Sequence, residues 1–362
     1  MGRFFGSGIS CTVKLAGSLR DINIQIVNIR VENICISTGR TFLMTKILVT
    51  MPFNEKHKKY IEEIGKNCSF TYKKNSEVRE EDLKDTDIIF GNVSPKLLPK
   101  AEQLQWIQLN SAGAAEFCTP GVLKEDTILT NASGAYDISV SDWMLTATYM
   151  LARKMDLYMD NQRKHVWQEM GSVRTVTGST VLVLGLGNIG KCYAAKVKAL
   201  GAYVIGVTKH QHKEIPACAD EMHTMEELPE LLPRADFVVM VLPGTEENKY
   251  VIGTRELKLM KPTAYLINAG RGNAVNNMEL NQALREGVIA GAALDVTDPE
   301  PLPADHPLWD APRCIVCPHI SGKFYLAETF ERIVRITGEN LEKYLAGDKK
   351  DMINQVKREL GY

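Results

Sequence analysis

A run of four apolar residues, 181–184, leads directly into a G-x-G-x-x-G turn formed by Gly185, Gly187 and Gly190. The residues that follow have the pattern of a helix over 188–199. Between a buried strand and a helix, such glycines allow a tight turn and a close approach of the backbone to a pyrophosphate, which rests on the first amides of the helix. The turn therefore predicts a dinucleotide site with contacts from Gly185, Gly187, Asn188, Ile189 and Gly190.

Apolar strand patterns alternate with helical patterns on both sides of this turn. Strands are predicted at 46–51, 68–72, 86–91, 104–109 and 127–131, and then at 180–184, 203–207, 236–241, 264–268, 290–294 and 313–316. Helices are predicted at 138–155, onward to about 170, and at 188–199, 225–232, 277–286 and 325–346. Such alternation indicates parallel sheets with crossover helices. The two series predict an α/β protein with two doubly wound parallel-sheet domains.

The composition excludes several classes of protein. Of the 362 residues, 44% are hydrophobic and 24% charged, and the net charge is −1. This balance gives no footprint for nucleic acid or an anionic membrane, and no window approaches the ~20 apolar residues that span a bilayer. We therefore expect neither partner. Eight cysteines are too few for a disulfide framework, so we expect a reducing, cytoplasmic setting.

Residues 1–43 differ from the rest of the chain because their charges are mostly basic. A secretory signal is disfavoured, since Lys14 interrupts the only candidate apolar run. A transit peptide stays open from the Arg, Ser and Thr content, although the alternation at 22–26 suits a strand better. The first good strand of the α/β series starts just after Met44. We expect the functional protein to begin near Met44 and 1–43 to lie outside the fold.

The end of the strand predicted at 203–207 bears on the choice of cofactor. In NAD sites an acidic residue here binds the ribose 2′-hydroxyl. Thr208 and Lys209 occupy this place instead, and no carboxylate follows before Glu214. Because a cation pairs with a 2′-phosphate, the pattern favours NADP(H). The alternative is a solvated Lys209 in an enzyme that accepts either cofactor.

Three polar residues follow later predicted strands: Arg271, Glu300 and His319. Ligands of open α/β sheets bind beyond the carboxyl ends of the strands, so we expect these side chains in one site. Together with the glycine turn and the segment 131–136, they resemble the D-isomer-specific 2-hydroxyacid dehydrogenase family. The similarity runs from about Met44 to Tyr362, and its ordered motifs are specific for the superfamily but not for one substrate.

The resemblance implies a role for each of these residues. Arg271 would bind the substrate carboxylate, His319 would be the acid–base group, and Glu300 would be its partner. The backbone amides of one loop would also bind the carboxylate, and further residues would contact the cofactor. These are Ser111, Ala112 and Gly113 for the substrate, and Pro243, Ala269 and Asp295 for the cofactor, with Asp295 at the nicotinamide amide.

The chemistry of a 2-oxo acid agrees with these roles. A guanidinium fork binds a planar carboxylate bidentately and orients it. Hydride arriving at C2 leaves developing alkoxide charge, which needs a proton donor with a pKa near 7, and a carboxylate beside a histidine favours the imidazolium. The implied activity is the interconversion of a small 2-oxo acid, such as glyoxylate or hydroxypyruvate, and the D-2-hydroxy acid with NAD(P)(H).

The resemblance also implies the domain organisation. A Rossmann NAD(P)-binding domain, 143–320, would be inserted into a flavodoxin-like substrate domain formed by 44–142 and 321–362. The pattern at 138–151 is apolar almost all round, which is typical of a helix packed between domains or across a dimer. We therefore expect a homodimer. No cluster with metal-ligand character accompanies these motifs, so no metal is expected.

Some residues depart from the family pattern. Asp142 and Trp143 stand where relatives more often carry Glu-His, and Cys317 stands where a threonine is common. Residues 323–325 follow a lone Gly322 at the usual site of a glycine pair. The first and last of these departures leave the substrate pocket and the interface open, but not the reaction. Alternatives to the main interpretation are a phosphoglycerate dehydrogenase-like enzyme and a cofactor-sensing regulatory protein on the same fold. Formate dehydrogenase is disfavoured, because similar enzymes carry Gln in place of Glu300.

Overall fold

The computed structural model describes residues 36–37, 40–41, 44–211, 213–324 and 326–359. The chain divides into two units, Met1–Met44 and Thr45–Tyr362. In the first unit, the short strands β1 (Ile36–Ser37) and β2 (Arg40–Thr41) pair antiparallel. The strand favoured at 22–26 lies outside the described residues. Both parallel sheets belong to the second unit.

The first sheet of this unit has five parallel strands. They are β3 (Thr45–Val49), β4 (Cys68–Tyr72), β5 (Ile88–Phe90), β6 (Trp106–Gln108) and β7 (Ile128–Thr130), with the helices α1 (Glu55–Ile64) and α2 (Glu80–Leu83) between them. Their order in the sheet is β4-β3-β5-β6-β7. This is the flavodoxin-like order. The second strand, β4, is added on one side of β3, and the later strands are added in sequence on the other side, so the strand order reverses between β3 and β5.

The second sheet has seven parallel strands. They are β8 (Thr180–Leu184), β9 (Tyr203–Thr208), β10 (Glu221–Thr224), β11 (Phe237–Met240), β12 (Tyr265–Asn268), β13 (Gly291–Leu294) and β14 (Cys314–Val316). Their order is β10-β9-β8-β11-β12-β13-β14, which contains the Rossmann order 3-2-1-4-5-6. The remaining helices are α3 (Asp137–Ala152), α4 (Met155–Arg163), α5 (Asn188–Ala199), α6 (Leu228–Leu231), α7 (Thr254–Leu259), α8 (Asn277–Arg285) and α9 (Ala327–Ala346).

The central strands are uninterrupted apolar runs because helices cover both faces of each sheet. All four residues of β11 and of β12 are buried, as are the last four of β8. The predicted fold class, two doubly wound parallel-sheet domains, is confirmed.

Two long helices connect the parts of the chain that lie far apart in sequence. Helix α3 packs against α5 and against β12 and β13, whereas α9 packs against α1. The second contact includes a hydrogen bond between His57 Nε2 and Glu331 Oε1 of 3.1 Å. These contacts agree with a substrate domain that includes 321–362, but the exact domain boundaries stay a prediction.

The structure corrects the predicted elements in several places. The polar helix expected to reach about 170 ends at Arg163, because His165 adopts a left-handed conformation with φ 55° and residues 166–175 form no regular secondary structure. Strand β10 and helices α1, α2 and α7 are absent from the prediction. The helix predicted at 225–232 is a succession of 3₁₀ and short α turns. Within the described ranges, no helix is long and apolar enough to cross a membrane.

Candidate active site

The three glycines of the turn between β8 and α5 differ in what a side chain at each position would contact. Gly185 has φ 95°, and a Cβ there would lie 2.6 Å from the carbonyl oxygen of Val241. A Cβ on Gly190 would overlap the carbonyl of Gly185, which brings the helix close to the strand. At Gly187 a Cβ would have no atom within 4 Å, so this side of the turn is open. An open backbone at the N-terminus of α5 fits a bound pyrophosphate.

A cleft of about 110 Å³ separates the glycine turn from the segment before α3. Its lining includes Ala112, Ser133, Gly134, Tyr136, Asp137, Gly187, Asn188, Ile189, Gly190 and Val241. Asn188 Nδ2 donates to Ser133 Oγ at 3.4 Å across the cleft. Burial raises the pKa of the Asp137 carboxyl, and the Arg332 charge opposes that shift. The cleft thus joins the glycine turn to residues that follow strands of the first sheet.

Thr208 and Lys209, which we expect at the cofactor's 2′-phosphate, lie at the end of β9. Lys209 Nζ lies 2.6 Å from Glu247 Oε2, and Thr208 Oγ1 donates to the carbonyl of His210 at 2.8 Å. Glu247 belongs to a 3₁₀ turn after β11, so nothing in the sequence near Lys209 indicates this pairing. Lys209, which we expect to face a 2′-phosphate, therefore pairs with the acidic side chain of Glu247.

Two other residues expected at the cofactor lie at neighbouring strand ends. Pro243 follows β11, and its carbonyl accepts a hydrogen bond from Asn248 Nδ2 at 2.9 Å. Ala269 follows β12 and donates its amide to the carbonyl of Met240 at 3.0 Å. Both are thus placed at the carboxyl edge of the second sheet, on the side of the glycine turn.

Side chains that follow β5 and β7 hold residues 110–113, the loop after β6. We name it the substrate loop because the resemblance implies a substrate contact there. Asn92 Nδ2 donates to Ser111 Oγ at 2.9 Å, and Asn131 Nδ2 donates to the carbonyl of Ala112 at 2.8 Å. None of the described residues accepts a hydrogen bond from the backbone N–H groups of Ser111, Ala112 or Gly113. Three consecutive amide donors are therefore available to a ligand.

Asn92 and Asn131 were not predicted as site residues. Asn131 belongs to the motif 131–136, which was recognised without a role for this side chain. Asn92 lies just beyond the carboxyl end of β5, where the rule for open α/β sheets would have pointed to it. The rule for open α/β sheets points to the carboxyl ends of the strands. Which acceptor the side-chain amide of Asn92 or Asn131 reaches there depends on the folded structure.

Arg271 lies beyond the carboxyl end of β12 and points toward the substrate loop. Its Nη1 donates to the carbonyl of Gly270 at 2.7 Å, and its Nη2 occupies the space that a Cβ on Gly113 would need. The residue is exposed. Surrounding protein lowers the pKa of its guanidinium, whereas the charge of Glu300 raises it. The guanidinium, which is protonated at any working pH, and the free amides thus face the same space.

His319 and Glu300 form a close pair at the ends of β14 and β13. His319 Nδ1 lies 2.6 Å from Glu300 Oε1, and the two side chains are 41% and 43% exposed. Since Glu300 also acts on Arg271, the structure brings all three polar residues of the sequence pattern to one site. Among the described residues, no group of three or more His, Cys, Asp or Glu side chains is placed to hold a metal ion.

Asp295 is almost completely buried beneath His319, at 1% exposure. Its Oδ1 accepts from the amide of Ile320 at 2.8 Å, and its Oδ2 accepts from the amide of Ser321 at 3.1 Å and from the Ser321 hydroxyl. The sequence predicts that the Asp295 carboxylate contacts a nicotinamide amide. In the structure this carboxylate accepts hydrogen bonds from the loop that carries His319.

Comparison with known proteins supports one family. The family model described as "D-isomer specific 2-hydroxyacid dehydrogenase, NAD binding domain" matches residues 145–321. A glyoxylate reductase of Aeropyrum pernix is 31% identical over 297 residues, which cover 79% of this chain and 85% of that protein. A D-3-phosphoglycerate dehydrogenase of Methanocaldococcus jannaschii is 30% identical over 310 residues, covering 84% of this chain but only 58% of that protein.

Solved structures agree on the fold. A D-isomer specific 2-hydroxyacid dehydrogenase family protein from Aeromonas salmonicida superposes with a TM-score of 0.77 at 28% identity, covering 87% of this chain and 100% of that one. Two more are 22% identical and show the fold alone. One is an NADPH-dependent glyoxylate/hydroxypyruvate reductase from Sinorhizobium meliloti in complex with NADP and sulfate (TM-score 0.74, covering 88% and 100%). The other is a D-lactate dehydrogenase from Aquifex aeolicus with NAD and lactic acid (TM-score 0.69, covering 86% and 99%). By sequence and by fold, the chain belongs to the D-isomer-specific 2-hydroxyacid dehydrogenases, a family of nicotinamide-dependent oxidoreductases.

Proposed function

We propose that this protein reduces a small 2-oxo acid, such as glyoxylate or hydroxypyruvate, to the D-2-hydroxy acid. The observation that carries the proposal is the position of Arg271. Its guanidinium lies against Gly113, beside three backbone N–H groups without an acceptor among the described residues. Glu300, which pairs with His319, is near enough for its charge to act on Arg271. An anion-binding pocket next to an acid–base pair suits a substrate with adjacent carboxylate and carbonyl groups.

In this mechanism Arg271 binds the substrate carboxylate with its planar fork, and the amides of Ser111, Ala112 and Gly113 complete the site. The bound carboxylate fixes the orientation of the neighbouring C2 carbonyl. Gly185, Gly187, Asn188, Ile189 and Gly190 would hold the pyrophosphate of a reduced nicotinamide dinucleotide, which would supply the hydride when bound.

His319 supplies the proton. Nδ1 of the imidazolium donates to Glu300 Oε1, which leaves the Nε2 proton for the developing alkoxide at C2. In the reverse direction, neutral His319 accepts the hydroxyl proton. In either direction the contact between Glu300 Oε1 and Nδ1 orients the imidazole ring.

For the cofactor we propose NADP(H) in preference to NAD(H), with Thr208 and Lys209 at the 2′-phosphate. The Lys209–Glu247 pair is more than half exposed on both sides, and exposed pairs of this kind contribute only about 0–1 kcal/mol. The pair with Glu247 therefore contributes little against a contact of Lys209 with a phosphate. Pro243 and Ala269 are proposed to contact the cofactor at the same strand edge.

We also propose that the protein is a homodimer that uses the outer side of α3 and α4. An apolar groove of about 540 Å³ is lined by Leu145, Thr146, Tyr149, Met150, Arg153 and Met155. The extended segment after α4 carries Trp167, which is fully exposed. A large apolar surface of this kind usually marks an interface.

We further propose a reducing, cytoplasmic setting, which the free thiols of the six described cysteines support.

The test is an initial-rate panel of 2-oxo acids with NADH and NADPH, followed by the absorbance of the reduced nicotinamide. We expect turnover of glyoxylate and hydroxypyruvate, with the D-isomer as product where a stereocentre forms. His319→Ala should abolish turnover, and the matched variant His165→Ala, on the exposed segment after α4, should not. Cofactor binding without turnover of any 2-oxo acid would contradict the proposal and favour a cofactor-sensing regulatory protein.

A phosphoglycerate dehydrogenase-like activity is the second candidate. It is supported by the 30% identity to the Methanocaldococcus jannaschii enzyme, of which this chain spans 58%. The panel therefore includes 3-phosphohydroxypyruvate. A kcat/KM for this substrate well above that for glyoxylate would favour the second candidate.

A further inference from the structure

An acidic side chain lies in the cleft between the glycine turn and α3. Asp137, the first residue of α3, lines this cleft together with Gly187 and Asn188 from the N-terminus of α5. The cleft holds only about 110 Å³, so a group bound on the first amides of α5 lies close to Asp137. The glycine turn fits a pyrophosphate, whose phosphates are both negatively charged. The cleft would therefore bring like charges together.

The carboxyl of Asp137 is poorly solvated. Its Oδ1 is buried, and none of the described residues donates a hydrogen bond to this oxygen. A carboxylate oxygen that has lost its water without gaining a donor favours the protonated form. In agreement, burial raises the pKa of Asp137. The positive end of α3 favours the charged form and opposes this effect.

The charged groups around Asp137 do not pair with it directly. The charge of Arg332, on α9, lowers the pKa of Asp137, but Arg332 Nε pairs with Glu328 at 3.1 Å and its Nη1 faces the carbonyl of Gly134 at 3.4 Å. The residues that line the cleft from α5, from the substrate loop and from the end of β11 are uncharged. Tyr136, the other titratable residue of the lining, donates its hydroxyl to a backbone carbonyl of the substrate loop, and burial raises its pKa.

We propose that Asp137 takes up a proton from solvent when the dinucleotide binds, so that cofactor affinity depends on pH. A nearby like charge raises the pKa of a carboxyl, and the pyrophosphate stays charged at any working pH. Once neutral, the carboxyl has an O–H that a phosphate oxygen can accept, and the repulsion is gone. The inference rests on the proposed dinucleotide site at the glycine turn and is independent of the oxo acid that is reduced.

The sign of the pH dependence follows from the raised pKa. Binding is strongest below the pKa of Asp137 in the free protein, where the carboxyl is neutral before and after binding. Affinity falls as the pH rises from this value to the higher pKa of the complex, and it is constant above that. Since one pKa unit is a tenfold change in affinity, we expect the Kd to be about 3- to 10-fold higher on the alkaline side.

The test compares the wild-type protein with Asp137→Asn, which keeps the shape and is neutral at every pH. Calorimetric titrations with NAD⁺ and with NADP⁺ from about pH 5 to about pH 8.5 should show a rise of Kd with pH that is about 3- to 10-fold larger in the wild type. On the alkaline side the variant should bind more tightly. The 2′-phosphate of NADP⁺ titrates with both proteins, so their difference isolates Asp137. Asp310→Asn, a matched change on the exposed turn before β14, should follow the wild-type profile.

Two further measurements detect the proton itself. Titrations at one pH in buffers with different enthalpies of ionisation give the protons taken up per dinucleotide bound, and the wild type should take up more than Asp137→Asn. Infrared difference spectra of the wild-type protein alone should show the carbonyl band of a protonated carboxyl on binding. This second readout holds whatever the stability of the variant.

Weaker binding by Asp137→Asn at every pH would mean that the carboxylate accepts a hydrogen bond from the cofactor, and it would overturn the proposal. Equal proton uptake by the two proteins, or no new carbonyl band in the wild type, would also overturn it. Those results would leave the dinucleotide site intact. A protein that binds neither NAD⁺ nor NADP⁺ would reject the proposed cofactor site together with the inference.

Discussion

Nδ1 of His319 lies 2.6 Å from Oε1 of Glu300, although the two residues come from loops that follow different strands. Both side chains are about two fifths exposed, so water competes for them and a substrate can reach them. A hydrogen bond at Nδ1 fixes the ring orientation and directs Nε2 away from the carboxylate. Arg271, on which the charge of Glu300 also acts, completes the group.

Glu300→Ala should lower kcat in both directions of the reaction. The variant removes the oxygen that lies 2.6 Å from Nδ1 of His319, so the ring is no longer held in one orientation. We expect a roughly 10- to 100-fold loss of kcat, because an acid–base group acts only within hydrogen-bond reach of the reacting atom. Glu300→Gln, which keeps one hydrogen-bonding oxygen, should lose less. Steady-state kinetics measures this, with the Kd for NADPH as the control. An unchanged kcat in Glu300→Ala would contradict the coupling.

Arg271→Lys should weaken the enzyme at every pH. Lysine keeps the charge but loses the planar fork, so the carboxylate is bound at one point and the carbonyl is poorly oriented. We expect a higher KM for the oxo acid and a lower kcat, with kcat/KM reduced by about 1.5–3 kcal/mol, or roughly one to two decades. Steady-state kinetics checks this, and the Kd for NADPH serves as the control. An unchanged KM would remove Arg271 from the carboxylate site.

Lys209→Asp should shift the cofactor preference from NADPH toward NADH. Lost pairing with the 2′-phosphate and new repulsion together amount to about 1–3 kcal/mol, or one to two decades in the kcat/KM ratio. Glu247→Gln removes the acidic neighbour of Lys209 and should act in the opposite direction, by about 2- to 5-fold, because the pair is exposed. A wild-type preference for NADH that neither variant alters would reject NADP(H).

Most of the architecture could be predicted because local patterns decide it. The buried strands read as continuous apolar runs, and the glycine turn has a spacing that steric contacts at Gly185 and Gly190 explain. Helix α4 was overestimated because the polar residues after Arg163 have good helix propensity. Its end is set by the conformation of His165 and by contacts of Met170 with Lys154 and Tyr158.

The site could be predicted in its residues but not in its contacts. Arg271, Glu300 and His319 each follow a strand, and parallel strands bring their carboxyl ends to one edge. The pairing of Lys209 with Glu247 spans 38 residues, and the contact of Asn92 with Ser111 spans 19. Such pairs depend on loop conformations that have no periodic pattern. The contact of Asp295 with the amide of Ile320, 25 residues later in the chain, could not be predicted for the same reason.

Trp167→Ser should weaken the proposed homodimer. The indole is fully exposed on the segment after α4, beside Val166 at 42% exposure and Val173 at 43%. A tryptophan at the centre of an interface can contribute 2 kcal/mol or more, so the dimer Kd should rise by about 30-fold or more. Light scattering after size exclusion, over a range of concentrations, measures this. Trp309→Ser, at a partly exposed tryptophan before β14, is the control. A wild-type monomer would contradict the proposed dimer.

A histidine on the edge strand β10 should make stability depend on pH. Nδ1 of His223 lies 2.8 Å from Glu227 Oε1, and Nε2 lies 2.8 Å from Glu221 Oε2. Carboxylates only accept, so both ring nitrogens donate and the ring is an imidazolium. Hydrogen bonds to Glu227, and then to Glu221, raise the pKa of His223 above 6.5. Hydrogen bonds from Arg234 hold the pKa of Glu221 at about 2, so this partner stays charged across the whole window.

The sign follows from the raised pKa. The folded protein binds the His223 proton more tightly than the unfolded chain, so the stabilisation is complete below the unfolded pKa of about 6.5 and is lost as the pH rises through the folded value. His223→Gln should therefore lower Tm at pH 5.5 and have little effect at pH 9. Thermal unfolding at both pH values measures this, with His165→Gln as a control on an exposed segment. An equal loss of Tm at both pH values would mean that His223 contributes through packing and not through its charge.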